Sequence, residues 1–228
     1  MVRLGVASIF SFFAGTIPVL EQSVSDDGAV SIALENLSLA GVRGESVRHQ
    51  DRDAIRLIEA DDTRASGMAI VQGVPFRDGV IEIDVAGRRG PSALPEDRGF
   101  IGIAFRVGPG GERFEYVYLR PENGRADDQV RRNHSAQYAS HPDFPWPRMR
   151  KEFPERYETY VDLEPGVWTH MRVEVSGTRA RLLVHGAKEP TLLVDDLKLG
   201  AAEGGVGLWI GAGTEGFFSN LRVRPSGR

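Results

Sequence analysis

The sequence predicts an all-β protein, a sandwich of two antiparallel sheets. Three observations predict it. Short runs rich in Val, Ile, Phe and Tyr recur along the chain, Gly, Pro, Asn and Asp punctuate them, and no useful length of sequence shows helical periodicity. The strand signals fall at Val30 to Leu39, Ala54 to Glu59, Met68 to Val71, Val80 to Ala86 and Phe100 to Arg106. They continue at Phe114 to Arg120, Tyr157 to Val161, Trp168 to Val175, Ala180 to Val184, Leu192 to Val194, Val206 to Ile210 and Phe217 to Val223. Gly108 to Gly111 reads as a hairpin turn. Arg125 to Arg132 and Arg148 to Arg156 each allow one helical turn, limited by nearby prolines.

Consecutive strand side chains point to opposite faces, so alternation separates core from surface. Ile101, Ile103 and Phe105 share the core face, leaving Gly102, Ala104 and Arg106 on the other. Two small residues beside a guanidinium would floor a groove. Val117 and Leu119 point inward, with Tyr116, Tyr118 and Arg120 outward; Val206, Leu208 and Ile210 point inward, with Trp209 outward. In the last strand Phe217, Leu221 and Val223 are expected inward, opposite Phe218, Asn220 and Arg222.

With 228 residues, 41% apolar and 26% charged, the chain can build one core without crosslinks, and it has no Cys. A net charge of −4, from 28 basic and 32 acidic residues, supplies no basic footprint for nucleic acid. Near the N-terminus, Arg3 precedes the uncharged run Leu4 to Leu20, short for a membrane span, and Ser23-Val24-Ser25 offers small residues for cleavage. The expectation is a signal peptide over 1–25, a single domain over 26–228, an exported protein and no membrane contact after cleavage.

The segment Tyr116 to Trp146 mixes Tyr, Trp and Phe with Arg, Asn, Gln, His and Asp. That mixture suits a sugar, whose C–H face meets rings and whose hydroxyls meet planar polar groups. The stretch Glu122 to Trp146 is expected to be a long recognition loop.

FRDGVIEIDVAG (Phe76 to Gly87), FIGIAFR (Phe100 to Arg106), YVYLRP (Tyr116 to Pro121), WTHMRVEVSGTRARLLV (Trp168 to Val184) and GGVGLWIGAGTEGFFSNLRV (Gly204 to Val223) resemble the concanavalin A-like lectin/glucanase superfamily. More narrowly they are similar to exported bacterial 3-keto-disaccharide hydrolase-like domains, loosely grouped with family 16 glycoside hydrolases. The resemblance implies a two-sheet jelly roll whose concave sheet holds a carbohydrate. Alternation and resemblance together place Tyr116, Tyr118, Trp209 and Trp146 as stacking rings. They place Arg106, Arg120, Asn123, Gln137, Tyr138 and Asn220 as hydrogen-bonding partners.

Retaining family 16 enzymes carry Glu-x-Asp-x-(x)-Glu on one strand. Here Glu82 and Asp84 match, but Ala86 or Gly87 stands where the acid/base belongs. Glu82 and Asp84 are therefore expected on a solvated face, paired with Arg. A keto-glycoside hydrolase or lyase remains the alternative, with His134, His141, Arg106 and Tyr138 as its catalytic groups and Arg120 or Arg132 on an oxyanion. A laminin G-like interaction module is the third reading. No transition-metal or other cofactor pattern is present, while Asp127-Asp128 or Asp195-Asp196 could contribute to a structural Ca²⁺ site.

Overall fold

A computed structural model describes residues 28–61 and 64–226. The expected signal peptide lies outside the described residues. Fourteen described strands form two antiparallel sheets of seven. One sheet, ordered β1-β4-β13-β6-β7-β8-β9, contains β1 (Leu37–Ala40), β4 (Gly67–Phe76), β6 (Ile101–Val107), β7 (Phe114–Leu119), β8 (Ala136–His141), β9 (Glu158–Thr159) and β13 (Gly204–Ile210). The other, ordered β12-β11-β10-β5-β14-β3-β2, contains β2 (Val42–His49), β3 (Arg52–Glu59), β5 (Gly79–Arg89), β10 (Thr169–Ser176), β11 (Arg179–Val184), β12 (Leu192–Val194) and β14 (Thr214–Pro225). The all-β sandwich is as the apolar periodicity predicts.

The core between the sheets is the set that alternation selects, including Ile81, Ile83, Ile101, Ile103, Phe105, Val117, Leu119, Val206, Leu208 and Ile210, all buried. Three short helices, α1 (Pro121–Gly124), α2 (Gln129–Asn133) and α3 (Trp146–Glu152), interrupt the strands. They and β8 replace the expected long loop. α3 drops Met149 into the core, with Phe144 and Phe153 packed against it.

Two departures from strict alternation matter. Asn220 takes a positive φ of 55°, and the β14–β5 register shifts between Ser219 and Arg222. The extra residue moves Phe218, rather than Phe217, into the core with Leu221 and Val223. Phe217 instead packs outward with Ala54 and Ala86, reversing the expectation from even spacing. Asn220 itself lies on the second sheet and donates to Asp84 at 2.7 Å.

Arg106 is the second departure, with φ +54° beside the shift at Gly205 and Val206. It does not floor a groove. Its fully buried guanidinium donates to the carbonyls of Arg77 (2.9 Å), Gly177 (2.7 Å) and Gly200, and to Asp78 at 3.0 Å. It thus clasps the β4–β5 and β10–β11 turns to the chain entering β13. Burial lowers its pKa, opposed by Asp78 and Glu115, so several acceptors must hold the cation. Tyr138 also departs from its expected place, because it faces the interior: its hydroxyl donates to Glu115 at 2.5 Å and accepts from the Lys198 amide at 2.8 Å.

Glu82 and Asp84 stand on the outer face of the second sheet among cations. Glu82 pairs with Arg172 (3.2 Å) and Arg224, and Asp84 with Arg52 and His170, both at 2.8 Å. We expect Arg106→Met, which takes this donor from three carbonyls and leaves Asp78 only the Gly177 amide and Arg77, to lower unfolding free energy by about 3 kcal/mol or more. Arg52→Ala, which removes a surface pair, should cost under about 1 kcal/mol. Urea denaturation of the two variants beside the parent checks the contrast.

Candidate functional site

The outer face of the first sheet is ordered by register. Reading Cα partners across it, Met68, Trp209, Gly102, Tyr118, Gln137 and Glu158 form one transverse row. Two residues along, Ile70, Gly207, Ala104, Tyr116 and Ala139 form the next. Antiparallel pairing keeps partners on the same face, so each row is a line of neighbouring side chains. Apolar rings occupy the centre of the face and polar groups its β8–β9 end.

The rings need small neighbours. A Cβ on Gly102 would come within 2.1 Å of the Val117 carbonyl and 2.6 Å of the Tyr118 Cα, so the strands could not approach as they do. Tyr116 and Tyr118 stack 5.4 Å apart with planes 16° from parallel, and Trp209 leans on them at 4.9 and 5.0 Å. Phe114 and Phe100 extend the layer at its two ends. Tyr116, Tyr118 and Trp209 are only 8, 2 and 6% exposed. Burial raises the pKa of both tyrosines, which keeps them neutral hydrogen-bonding groups.

At the polar end the Tyr118 hydroxyl donates to Gln137 Oε1 at 2.7 Å. Arg120 follows β7 and spreads over four acceptors: the Tyr118 oxygen (2.9 Å), Gln137 Oε1, Glu158 Oε1 (3.0 Å) and the His134 carbonyl (2.8 Å). Asn123, held in α1, donates to that carbonyl at 3.2 Å. From α3, Arg150 grips Glu158 with Nε at 2.9 Å and Nη2 at 2.5 Å. The Trp146 ring lies under that guanidinium, 4.9 Å from it, and is 46% exposed. His134 Nε2 sits 3.7 Å from Glu158.

Electrostatics follow from this packing. Burial works against the Glu158 charge, but its bond to Arg150 and the charges of Arg120 and Arg150 outweigh that and leave the carboxyl below its ordinary value. Burial, aided by both arginines, lowers the His134 pKa against the pull of Glu158, so its imidazole is neutral at pH 7. Gln137 is fully buried, and its Nε2 has no hydrogen-bond partner; the same holds for Asn123 Oδ1.

Of the residues singled out from sequence, Tyr116, Tyr118, Trp209, Arg120, Gln137, Asn123 and His134 meet on or beside this face, with Trp146 at its rim. Arg106, Tyr138 and Asn220 do not join them. His141 stacks on Phe114 at the far end of β8, about 16 Å along the strand from Ala136, beyond which His134 caps α2, at about 3.3 Å per residue. The two histidines therefore cannot share a reacting centre. Glu158 and Arg150 escaped the sequence reading. Glu158 lies in a two-residue strand too short for alternation to declare, although its place inside the aromatic run Tyr157 to Val161 is a signal of partial burial.

Three of the four aspartates that the sequence offers for Ca²⁺ have other partners, Asp195 lying beside Arg179. Asp128 caps α2 by accepting from the Arg131 amide, and Asp196 accepts from Tyr157 and Lys198. Among the described residues no group of three or more His, Cys, Asp or Glu is placed to hold a metal.

No family model and no curated protein sequence matches the chain. Solved structures do. The carbohydrate-binding module CBM66 from Bacillus subtilis superposes with a TM-score of 0.54 at 12% identity, covering 81% of this chain and 95% of its own. A Bacillus subtilis protein of unknown function with a galectin-like fold gives 0.56 at 13%, covering 85 and 91%. A glycosyl hydrolase-like protein from Parabacteroides distasonis gives 0.51 at 12%, covering 90 and 98%. The chain has the concanavalin A-like jelly-roll fold. At such identities the jelly-roll likeness is one of architecture, and chemistry must come from the site.

Glu158 supplies a pH test. A carboxyl with a lowered folded pKa adds stability above its unfolded value, near 4.5, and that stability is lost as pH falls through the folded value. Glu158→Gln should therefore flatten the acid limb of the stability profile below about pH 4.5 and leave its shape above about pH 7.5, beyond the titration of the neighbouring His134, unchanged, as read by thermal melts across pH.

Proposed function

We propose that this protein binds a saccharide on the outer face of the first sheet, at the end where the ring layer meets Gln137, Arg120 and Arg150. The observation that carries the reading is the transverse row itself. It sets Trp209 and Tyr118 beside an amide and a carboxylate, with guanidinium groups above, so apolar and planar polar surfaces adjoin at the spacing of neighbouring strands. The carbohydrate-binding module among its structural neighbours supports the same assignment. Trp146, exposed at the rim, is the ring open to a sugar face, while the buried rings give the floor its shape. An exported protein, as the N-terminal sequence predicts, would meet such ligands outside the cytoplasm.

Binding is favoured over hydrolysis by the carboxylate count. A glycosidase of the two-carboxylate type needs a second acid about 5–9.5 Å from the first. Glu158 is the one carboxylate bonded into this cluster among the described residues, and two arginines hold it ionised. Glu82 and Asp84 belong to the other sheet. Its neutral imidazole beside two guanidinium groups makes His134 the residue on which an eliminating enzyme would depend.

A glycan array followed by titration calorimetry tests the proposal. Oligosaccharide binding without release of reducing, keto or unsaturated sugars is expected. Trp146→Ala should weaken it by about twofold to twelvefold, the value of one ring contact of about 0.5–1.5 kcal/mol. Turnover lost in His134→Ala would favour the enzyme instead. Absence of any glycan binding by the folded protein would leave the laminin G-like reading, tested by pull-down from envelope extract.

A further inference from the structure

The polar end of the row is charged asymmetrically. Two guanidinium groups, Arg120 and Arg150, face one carboxylate, Glu158, which both engage. The neighbouring His134 is neutral at pH 7, and the other anion near it, Glu155, is exposed and therefore screened. A cluster left with one excess positive charge, its Arg150 guanidinium partly open to solvent, favours an incoming anion.

The hydrogen-bond inventory points the same way. Gln137 Oε1 accepts from both Tyr118 and Arg120, which fixes the orientation of the amide and turns Nε2 away from them. That Nε2 is a fully buried donor with no acceptor. A buried N–H of this kind costs free energy unless an acceptor is supplied from outside the residues present. Arg150 directs Nε and Nη2 to Glu158, keeps its side chain 36% exposed, and presents its remaining edge beside the exposed Trp146 ring.

We infer that this end of the face is a subsite for an anionic sugar unit, its carboxylate or sulfate ester held by the Arg150 guanidinium and, once the side chains covering it give way, by the Gln137 amide, with its ring against Trp146. The inference rests on the saccharide-binding reading and specifies the ligand within it. A planar guanidinium edge and an amide N–H are complementary to two oxygens of one anionic group. The preference is local, because the whole chain carries a net charge of −4 and as a body repels anions.

Three β-glucan oligosaccharides of equal length discriminate the outcomes: one neutral, one oxidised at C6 to the carboxylate, and one sulfated at C6. With the full chain, at least one anionic form should bind about tenfold or more tightly than the neutral one, and the advantage should shrink in raised salt. The tighter of the two identifies the anion. Arg150→Gln and Gln137→Leu should each reduce the ratio to below about threefold, with folding verified by thermal melting. Arg179→Gln, an exposed arginine on the other sheet, should leave the ratio unchanged. Equal binding of all three sugars would overturn the anionic subsite while leaving saccharide binding intact. So would a ratio that falls as much in Arg179→Gln as in Arg150→Gln. Failure of these sugars and of a wider glycan panel to bind would remove the parent reading, and this one with it.

Discussion

The register of β6, β7 and β8 is the constraint on which the rest of the molecule depends. A strand's side chains alternate with a period of two, so a one-residue slip would exchange Ile101, Ile103 and Phe105 for Gly102 and Ala104 in the core. The same slip would turn Tyr118 inward and dismantle the row linking Trp209 to Glu158. Core and site are therefore opposite faces of a single pairing. Gly102 reinforces it from the outside, because only a residue without a Cβ tolerates the Val117 carbonyl and Tyr118 Cα at that distance.

Regular alternation alone would have produced a different protein. The inserted residue at Asn220 exchanges Phe217 for Phe218 between core and surface, and the positive φ of Arg106 takes a guanidinium out of the face and into a clasp between turns. Both are local adjustments of the backbone with long-range effects on packing. Asn is among the residues that adopt such a φ readily, whereas an arginine there needs compensation. Its four acceptors supply it, from three turns or loops that would otherwise carry unpaired carbonyls at one end of the sandwich.

This division explains what was legible in the sequence. Strands such as Phe114 to Leu119 and Val206 to Ile210 declare themselves because β-branched and aromatic residues recur in them between turn signals. Two strands did not. β2, Val-Arg-Gly-Glu-Ser-Val-Arg-His, is an edge strand whose charges blunt its open side, so it lacks the apolar signature. β8, Ala-Gln-Tyr-Ala-Ser-His, is interior but small and polar, because it carries Gln137 outward while Tyr138 and Ser140 turn toward the core. The rings of the site could be placed from period two, whereas Arg106 and Asn220 could not, since a single residue's φ leaves no mark on composition. Arg150 and Glu158 became visible only through the docking of α3 against the sheet edge, a tertiary event.

That docking also accounts for the chemical character of the site. Arg120 is buried and multiply bonded, so the β7–β8 row already contains a cation that must be neutralised, and Glu158 from β9 provides the carboxylate. Had α3 contributed an apolar side chain at position 150, the pair would balance. It contributes a second arginine instead, anchored on the same carboxylate and open on its other side to Trp146 and solvent. A fold that needed only to close its edge has Met149, Phe144 and Phe153 for that purpose. The unanswered Gln137 amide nitrogen adds nothing to closure and costs free energy where it is buried. An unpaired donor of this kind, beside a cation partly open to solvent, is what the proposed anionic ligand would answer.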